Sequence, residues 1–329
     1  MTNNWLSEFK DFMFNGNVKE ARKLTLQHLP KKLYKYRQIN DYTVNNLNES
    51  SIWLSSPANM NDPYESSVYV DFEKVCNYEV TQDRFWDGLK ANTDSELFSE
   101  DEKMEIRNHL NPYEHYWNCF RKKFIGKSDL ELKIKISDTA LRENLHFHSE
   151  EYIRHLKNMV RFCSFSENND SLLMWSHYSE QHKGICIEYD FTNTNSAKYI
   201  IPVIYTNKVF NCTEYLLDKS KAGWLSLLSS LQKTEDWAYE KEWRLIYPYN
   251  HVTIDSNMHV SQPSAIYIGS RVDNLGVVGK EKLNQIIGIA KNKNIPVFQM
   301  SLNRDTFKMG ITSEINLNPK EMPKLPFFE

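Results

Sequence analysis

The sequence predicts an α+β fold: a mixed, largely antiparallel sheet with flanking helices to one side and a helical insertion. Three observations predict it. Short β-rich runs outnumber what a helical bundle allows. They do not alternate regularly with helices, as parallel βαβ units require. From about Asp71 to Val160 the chain turns charge-rich, with apolar residues at i, i+3 and i+4, and so inserts a mostly helical stretch between early and late strands. Ten Gly and eleven Pro in 329 residues leave no convincing linker. The organisation read from this is a helical prefix over 1–30 and a single α+β domain over 31–329, with the insertion at about 71–160.

The elements follow in order. Trp5, Leu6, Phe9, Met13 and Phe14 repeat at helical spacing, with Gly16 as a cap. Val18, Ala21, Leu24, Leu26 and Leu29 make a second helix that Pro30 stops. Leu33 to Arg37 reads as a strand, Asp41 to Asn48 as a short helix with Asp41 at its N-cap, and Ser51 to Ser55 as a second strand. Asn61-Asp62-Pro63 is turn chemistry, because Asx side chains bond their own backbone and Pro presets φ. Leu130 to Ile136 fits strand and helix alike. Beyond the insertion, strands are expected at Arg161–Ser166, Gly184–Tyr189, Tyr199–Tyr205, Glu240–Tyr247, Ala265–Ile268 and Ile295–Met300. Helices are expected at Asp170–Ser179, around Trp224–Leu231 and at Leu283–Ala290.

Composition narrows the function classes. Forty percent hydrophobic and 25% charged residues exclude a disordered or collagen-like chain. Forty basic against 43 acidic residues, a net charge of -3, argue against a large non-specific nucleic-acid or anionic-membrane surface. Five scattered cysteines without CxxC spacing read as reduced thiols, and no window approaches eighteen uncharged apolar residues, so a soluble cytoplasmic protein without a membrane partner is expected. The unusual quantity is 13% aromatic residues, many of them beside charges.

Three segments carry that combination. Tyr34-Lys35-Tyr36-Arg37 puts two rings on one strand face and two cations on the other. Rings of this kind stack on flat heterocycles and Arg grips phosphate with two parallel bonds, although a solvated face with two half-buried tyrosines has the same pattern. Cys163-Ser164-Phe165-Ser166 is followed by Met174-Trp175-Ser176-His177-Tyr178, where Trp175 and Tyr178 share a helix face suited to core packing or to a ligand platform. The third segment runs from Lys233 to Arg244. Period-two geometry there sets Glu240, Glu242 and Arg244 on one strand face, flanked by Trp237, Tyr239 and Trp243. Two carboxylates walled by aromatics are costly to bury without cations or substrate groups, and suit stabilisation of a cationic transition state.

Taken together, Leu33 to Arg37, Trp53-Leu54-Ser55-Ser56-Pro57 with Asn61-Asp62-Pro63-Tyr64-Glu65, Cys163 to Ser166, Met174 to Tyr178, and Trp237 with Tyr239 to Arg244 resemble the bacterial "domain of unknown function 2971" family over about residues 33–300. The layout is in turn similar to ADP-ribosyltransferases, particularly those acting on nucleic acids: an aromatic-basic strand, a helix, a second strand, and a carboxylate strand with Glu-x-Glu. The resemblance implies an NAD-dependent transferase, with NAD consumed as substrate, no metal, an unidentified protein or nucleic-acid acceptor, and a place in bacterial or phage defence or among toxins. It implies Glu242 and Glu240 as the catalytic acids, with Glu242 stabilising the ribose cation and Glu240 assisting the acceptor. Tyr34, Lys35, Tyr36, Arg37, Ser164, Ser166, Trp175, Tyr178 and Arg244 would bind the nucleotide. Either Lys35 or Arg37 would hold the pyrophosphate, and Tyr36 or Tyr178 would stack on nicotinamide. Two other readings stand beside it: a metal-dependent nuclease built on Asp62-Pro63 with Glu131-Leu132-Lys133, and a non-catalytic nucleotide sensor using the same aromatic pocket.

Overall fold

The computed structural model describes residues 4–93, 96–124, 151, 153–218, 221–248 and 256–315. The expectations for Leu130 to Ile136 and for Glu131 and Lys133 lie outside the described residues. The chain divides into two compact units, one formed by 1–66, 157–208 and 230–329, the other by 67–156 and 209–229.

The first unit opens with α1 (Asn4–Phe14) and α2 (Val18–His28). Gly16 sits between them at φ +78°, a left-handed position that an ordinary residue resists. Leu29 after α2 is extended, as a residue preceding Pro30 prefers. Then come β1 (Leu33–Arg37), α3 (Asp41–Glu49) and β2 (Ser51–Leu54). The cap of α3 is Asn40, one residue before the expected Asp41: its side chain accepts from the Thr43 amide at 3.0 Å. After the second unit's excursion follow β3 (Val160–Ser166), α4 (Leu172–Tyr178, capped by Ser171), β4 (Ile185–Tyr189), β5 (Ile200–Pro202) and β6 (Ile204–Tyr205). The single strand expected over Tyr199–Tyr205 is thus two: Val203 makes the last bond to the Glu242 carbonyl, and Ile204 and Tyr205 then pair in parallel with Gln232 and Lys233 instead. The unit closes with β7 (Gln232–Lys233), β8 (Glu242–Pro248), β9 (Ser256–His259), β10 (Ala265–Ile268), α5 (Val277–Asn292), β11 (Val297–Leu302) and β12 (Met309–Glu314).

Eight strands form one sheet in the order β12-β11-β10-β4-β1-β3-β8-β5, antiparallel throughout except for β10 with β11. This is the expected α+β class with a mixed, mostly antiparallel sheet. The helices, expected on one side, cover both faces. Ile187, Phe165, Trp243 and Ile266 point toward Leu47 of α3 and Leu283, Ile286 and Ala290 of α5. On the opposite face Tyr36, Cys186 and Tyr267 pack on Met174 and Trp175 of α4. Burying both faces removes the polar outer side that a one-sided sheet would keep.

In the second unit the helices Phe72–Thr81, Asp83–Thr93, Glu100–Arg107 and Pro112–Phe124 enclose a core of Val80, Trp86, Phe98, Ile106, Tyr116 and Phe120. Ser99 and Glu102 close a capping box at the start of the third of these helices. Val68–Tyr69 pairs in parallel with Phe210–Asn211. Among the described residues no helix is long and apolar enough to cross a membrane.

The link from α4 to β4 is tight. Glu180, Gln181 and His182 take consecutive left-handed conformations, and Gly184 then passes so close to β1 that a Cβ there would lie 2.2 Å from the Arg37 carbonyl oxygen. Gly184→Ala is therefore expected to cost about 1–3 kcal/mol in the free energy of unfolding, the scale of an overpacked core. Gly288→Ala, inside α5 with open space around the new methyl, is expected to gain about 0.5–1 kcal/mol. Paired denaturant titrations check both, and equal stability of the two variants would contradict the packing.

Candidate functional site

The sheet is not continuous. β1 and β3 share a single paired position, Tyr34 opposite Ser166, and beyond it they part. Farther along β3, Phe162 pairs instead with Ser55 at the end of β2. Between these two anchors no strand faces the Ser164 carbonyl among the described residues, and the Lys35 ammonium fills the place at 2.9 Å while lying 5.9 Å from the centre of the Phe165 ring. The buried backbone group is thereby satisfied without closing the sheet. The parted strands open a cleft of about 360 Å³, at the low end for small-molecule sites.

Alternation along β1 puts Tyr34 and Tyr36 on one face with Glu242, and Lys35 and Arg37 on the other. In an unbroken sheet the cations and the acids would be separated by the backbone. Because the seam is open, Lys35, Arg37, Tyr178, Glu240 and Glu242 all line the one cleft. Arg37 is held by a bond to Asn46 at 2.9 Å, the one side-chain bond it makes among the described residues.

Beside the cleft lies a buried charge cluster. Arg244 is fully buried and all five of its N–H groups are used. Nε and one Nη pair with Glu242 at 2.7 and 3.1 Å, both Nη groups pair with Glu65 at 2.7 Å, and one also donates to the Ser230 carbonyl at 2.7 Å. Its guanidinium lies 4.3 Å from the centre of the Phe162 ring. Lys233, also buried, donates to Glu240 at 2.5 Å and Glu242 at 3.1 Å, with Trp237 beneath it. The Glu242 amide donates to the Tyr205 hydroxyl at 2.8 Å. Three acids thus meet two cations.

The expected strand face is corrected here. Glu240 does not lie on β8: it ends a 3₁₀ turn, Glu235–Glu240, and Lys241 at φ 43° and ψ 57° turns the chain before the strand begins at Glu242. The two acids meet through Lys233 rather than through strand periodicity. Their environments drive them apart. Burial opposes ionisation of Glu242, but Arg244 and then Lys233 outweigh it and hold this carboxyl down at about 2. For Glu240 burial prevails, with Glu242 adding to it and Lys233 opposing, and the carboxyl sits above its ordinary range. Tyr178 donates to Glu240 at 2.6 Å; burial and then that carboxylate keep the phenol protonated.

Other expected ligand residues are committed to the protein. Arg244 has no donor left for a nucleotide, so its part is to hold Glu242. Trp175 is wholly buried, donates to the Asn169 carbonyl at 2.7 Å, and packs edge-on against Tyr36, so neither face of the indole is a platform. Ser166 donates to the Glu240 carbonyl at 2.6 Å and accepts from the Asn168 amide, a cap for the turn and not a sugar contact. Tyr36 reaches the cleft but is nearly buried, its hydroxyl on the Asn168 carbonyl, and the half-buried Tyr34 packs edge-on against Tyr267. Of the candidate rings Tyr178 is the one left half-exposed beside the acids. Asp62 caps the Tyr64 amide at 2.8 Å, the turn role its sequence suggests.

Lys233, Glu65, Tyr205 and Asn61 are the residues that sequence reasoning left without a role. Lys233 opens the Glu-x-Glu segment and Asn61 to Glu65 formed one of the motifs, so their positions were marked but their partners, up to 179 residues away, were not.

Residues 174–245 match the model of the family described as Protein of unknown function (DUF2971). The match includes Trp175, Tyr178, Lys233, Glu240, Glu242 and Arg244, and stops short of β1 and the Asn61–Glu65 motif. No curated protein and no solved structure matches the chain.

The cluster makes stability depend on acid. A carboxyl held lower in the folded than in the unfolded chain contributes stability above its unfolded value of 4.5, lost as pH falls toward about 2. The raised Glu240 works in the opposite sense and above this window, adding stability as pH falls to 4.5 and nothing further below it. Unfolding free energy should therefore fall by roughly 3 kcal/mol across this window. Arg244→Met should be about 3–5 kcal/mol less stable at neutral pH, because it strips Glu65 of its guanidinium and leaves Glu242 to Lys233 alone, and should show a flattened acid limb. Denaturant unfolding of both proteins from pH 2 to 7 checks this; parallel limbs would remove Arg244 as the cause.

Proposed function

We propose that the cleft binds NAD and transfers its ADP-ribosyl group to a protein or nucleic-acid acceptor. The observation that carries this reading is that one cleft is lined by a guanidinium, Arg37, by two unlike carboxylates, Glu240 and Glu242, and by a tyrosine, Tyr178, bonded to one of those acids. Arg37, with Lys35 beside it, offers charge to a pyrophosphate, and the planar fork suits paired bonds. A cleft of about 360 Å³ takes the mononucleotide portion of a dinucleotide and leaves the remainder outside.

In this reading the bond between ribose C1′ and the nicotinamide nitrogen breaks, and its electron pair leaves with nicotinamide. Glu242 remains ionised at every physiological pH and sets a fixed negative charge against the positive charge that develops on the ribose. Arg244 and Lys233 hold that carboxylate in place without neutralising the cleft, since Glu65 and Glu240 absorb part of their charge. Glu240, whose raised proton affinity separates it from Glu242, accepts the proton of the attacking group as the new bond to C1′ forms. Tyr178 stacks on the leaving ring or steadies Glu240 through its hydroxyl.

A second reading, a nucleotide sensor without turnover, draws on the same cluster: both Glu242 oxygens are already paired within the protein. The two separate cleanly. Incubated with labelled NAD and cellular protein or RNA, the protein is expected to release nicotinamide and label an acceptor. Glu242→Gln, folded by circular dichroism, is expected to lose about 100-fold in that rate, the loss of one fixed electrostatic group of roughly 3 kcal/mol. Saturable NAD binding without nicotinamide release would establish the sensor instead.

A further inference from the structure

One motif has no part in this chemistry as described, the turn from Asn61 to Glu65. Its local structure follows from its residues. Asp62 caps the Tyr64 amide, Pro63 presets the corner, and the Glu65 amide returns to the Asp62 carbonyl at 3.0 Å. The turn sends its two end residues to different places. Asn61 donates from Nδ2 to the Tyr178 hydroxyl at 3.2 Å, and that hydroxyl donates to Glu240. Glu65, almost fully buried, takes two N–H groups of Arg244, which gives its other side to Glu242. The Ser66 hydroxyl closes the base of the turn against Glu65 and Ser230.

We propose that the Asn61–Glu65 turn is a two-armed brace that positions the two carboxylates of the cleft, Asn61 acting on Glu240 through Tyr178 and Glu65 acting on Glu242 through Arg244. Neither residue is catalytic: each works through one intermediate side chain. The brace explains why two acids nine-tenths buried and bridged by the same lysine remain unlike. The groups facing Glu240 are Lys233, Tyr178, Tyr239, Tyr205 and Glu242. Those facing Glu242 are Arg244, Lys233, Glu240, Tyr205 and Ser164. Lys233 and Tyr205 face both acids; Arg244 and Tyr178 each bond one, and these are the two that the turn holds.

The two arms have opposite and separable signatures. A phenol that accepts a hydrogen bond becomes a better donor, so Asn61 strengthens the bond from Tyr178 to Glu240. Without Asn61 the Glu240 carboxyl should bind its proton more readily. For Glu65 the sign discriminates between field and geometry. Removing a nearby negative charge alone would lower Glu242 further; removing the anchor of Arg244 lets the guanidinium withdraw and raises it.

The experiment titrates glutamate side-chain carboxyls by carbon-13 NMR in the full chain, with Glu240 and Glu242 assigned through their Gln variants. Asn61→Ala is expected to move the Glu240 midpoint up by several tenths of a pH unit, leave Glu242 in place, and have no effect on Glu240 in a Tyr178→Phe background. Glu65→Gln is expected to raise the Glu242 midpoint by about one unit. Should that variant not fold, Glu65→Asp, which keeps the charge and shortens the arm, is titrated in its place with the same rise expected. An unchanged Glu240 in Asn61→Ala, a shift that persists without the Tyr178 hydroxyl, or a fall of Glu242 on loss of Glu65 would overturn the brace. The inference borrows from the proposed transferase only the importance of the two acids. The titration uses no NAD, so a wild-type protein that releases no nicotinamide defeats that function and leaves the brace standing or falling on its own measurement.

Discussion

The site depends on one buried guanidinium. Arg244 joins three stretches of chain that are distant in sequence, the turn at Glu65, the carbonyl at Ser230 and the strand at Glu242, and it does so with every donor it possesses. Only a planar, permanently charged fork can serve two carboxylates bidentately from a single centre; a lysine would offer a point charge with no fixed directions. Taking such an ion out of water is expensive, and the mutual attraction recovers the cost only when the geometry leaves nothing unpaired. That condition is met here, and it follows that the carboxylate of Glu242 is an architectural component before it is a chemical one. Its position cannot drift without exposing a buried charge.

A second constraint lies in the sheet itself. Strands normally close on their neighbours because unpaired backbone groups are costly. β1 and β3 remain apart along most of their length because Lys35 supplies the hydrogen bond that the Ser164 carbonyl lacks and Ser55 supplies those of Phe162. A cation spent on backbone is therefore what keeps the cleft open, which separates the roles of the two basic residues of β1. Lys35 holds the seam, whereas Arg37 lines the cleft, tied by a single side-chain bond to Asn46 among the described residues.

The strands were legible where alternation or short apolar runs were unbroken. Leu33–Arg37 and Ala265–Ile268 fall where the residue types place them, because each sends alternate side chains into the two cores on opposite faces of the sheet. Errors arose where a single residue's backbone decides the path. Lys241 in the left-handed region takes Glu240 off the strand, Asn40 captures a cap that Asp41 would also have suited, and the run of good β-formers from Tyr199 to Tyr205 changes partner strand after Val203. The composition of the cleft was partly legible, since charged and aromatic residues close together are unusual. The division of labour within it was not: the partners of Arg244, Lys233 and Asn61 are set by tertiary contacts that no local pattern encodes.

The aromatic surplus then acquires a physical meaning different from the one it first suggests. Trp175 and Tyr36 pack edge-to-face in the core, Trp243 spends its N–H on Glu167 at 2.7 Å, and Phe162 and Trp237 lie under Arg244 and Lys233. Most of these rings exclude water from charges, and the low dielectric they create is what makes each ion pair strong and each unpaired ion prohibitive. With three carboxylates set against two cations, such a cluster is incomplete as an isolated object: the excess negative charge is tolerated through the raised proton affinity of Glu240 or through positive charge brought by a ligand. The same walls that stabilise the fold therefore leave the acid end of the cleft electrostatically complementary to positive charge.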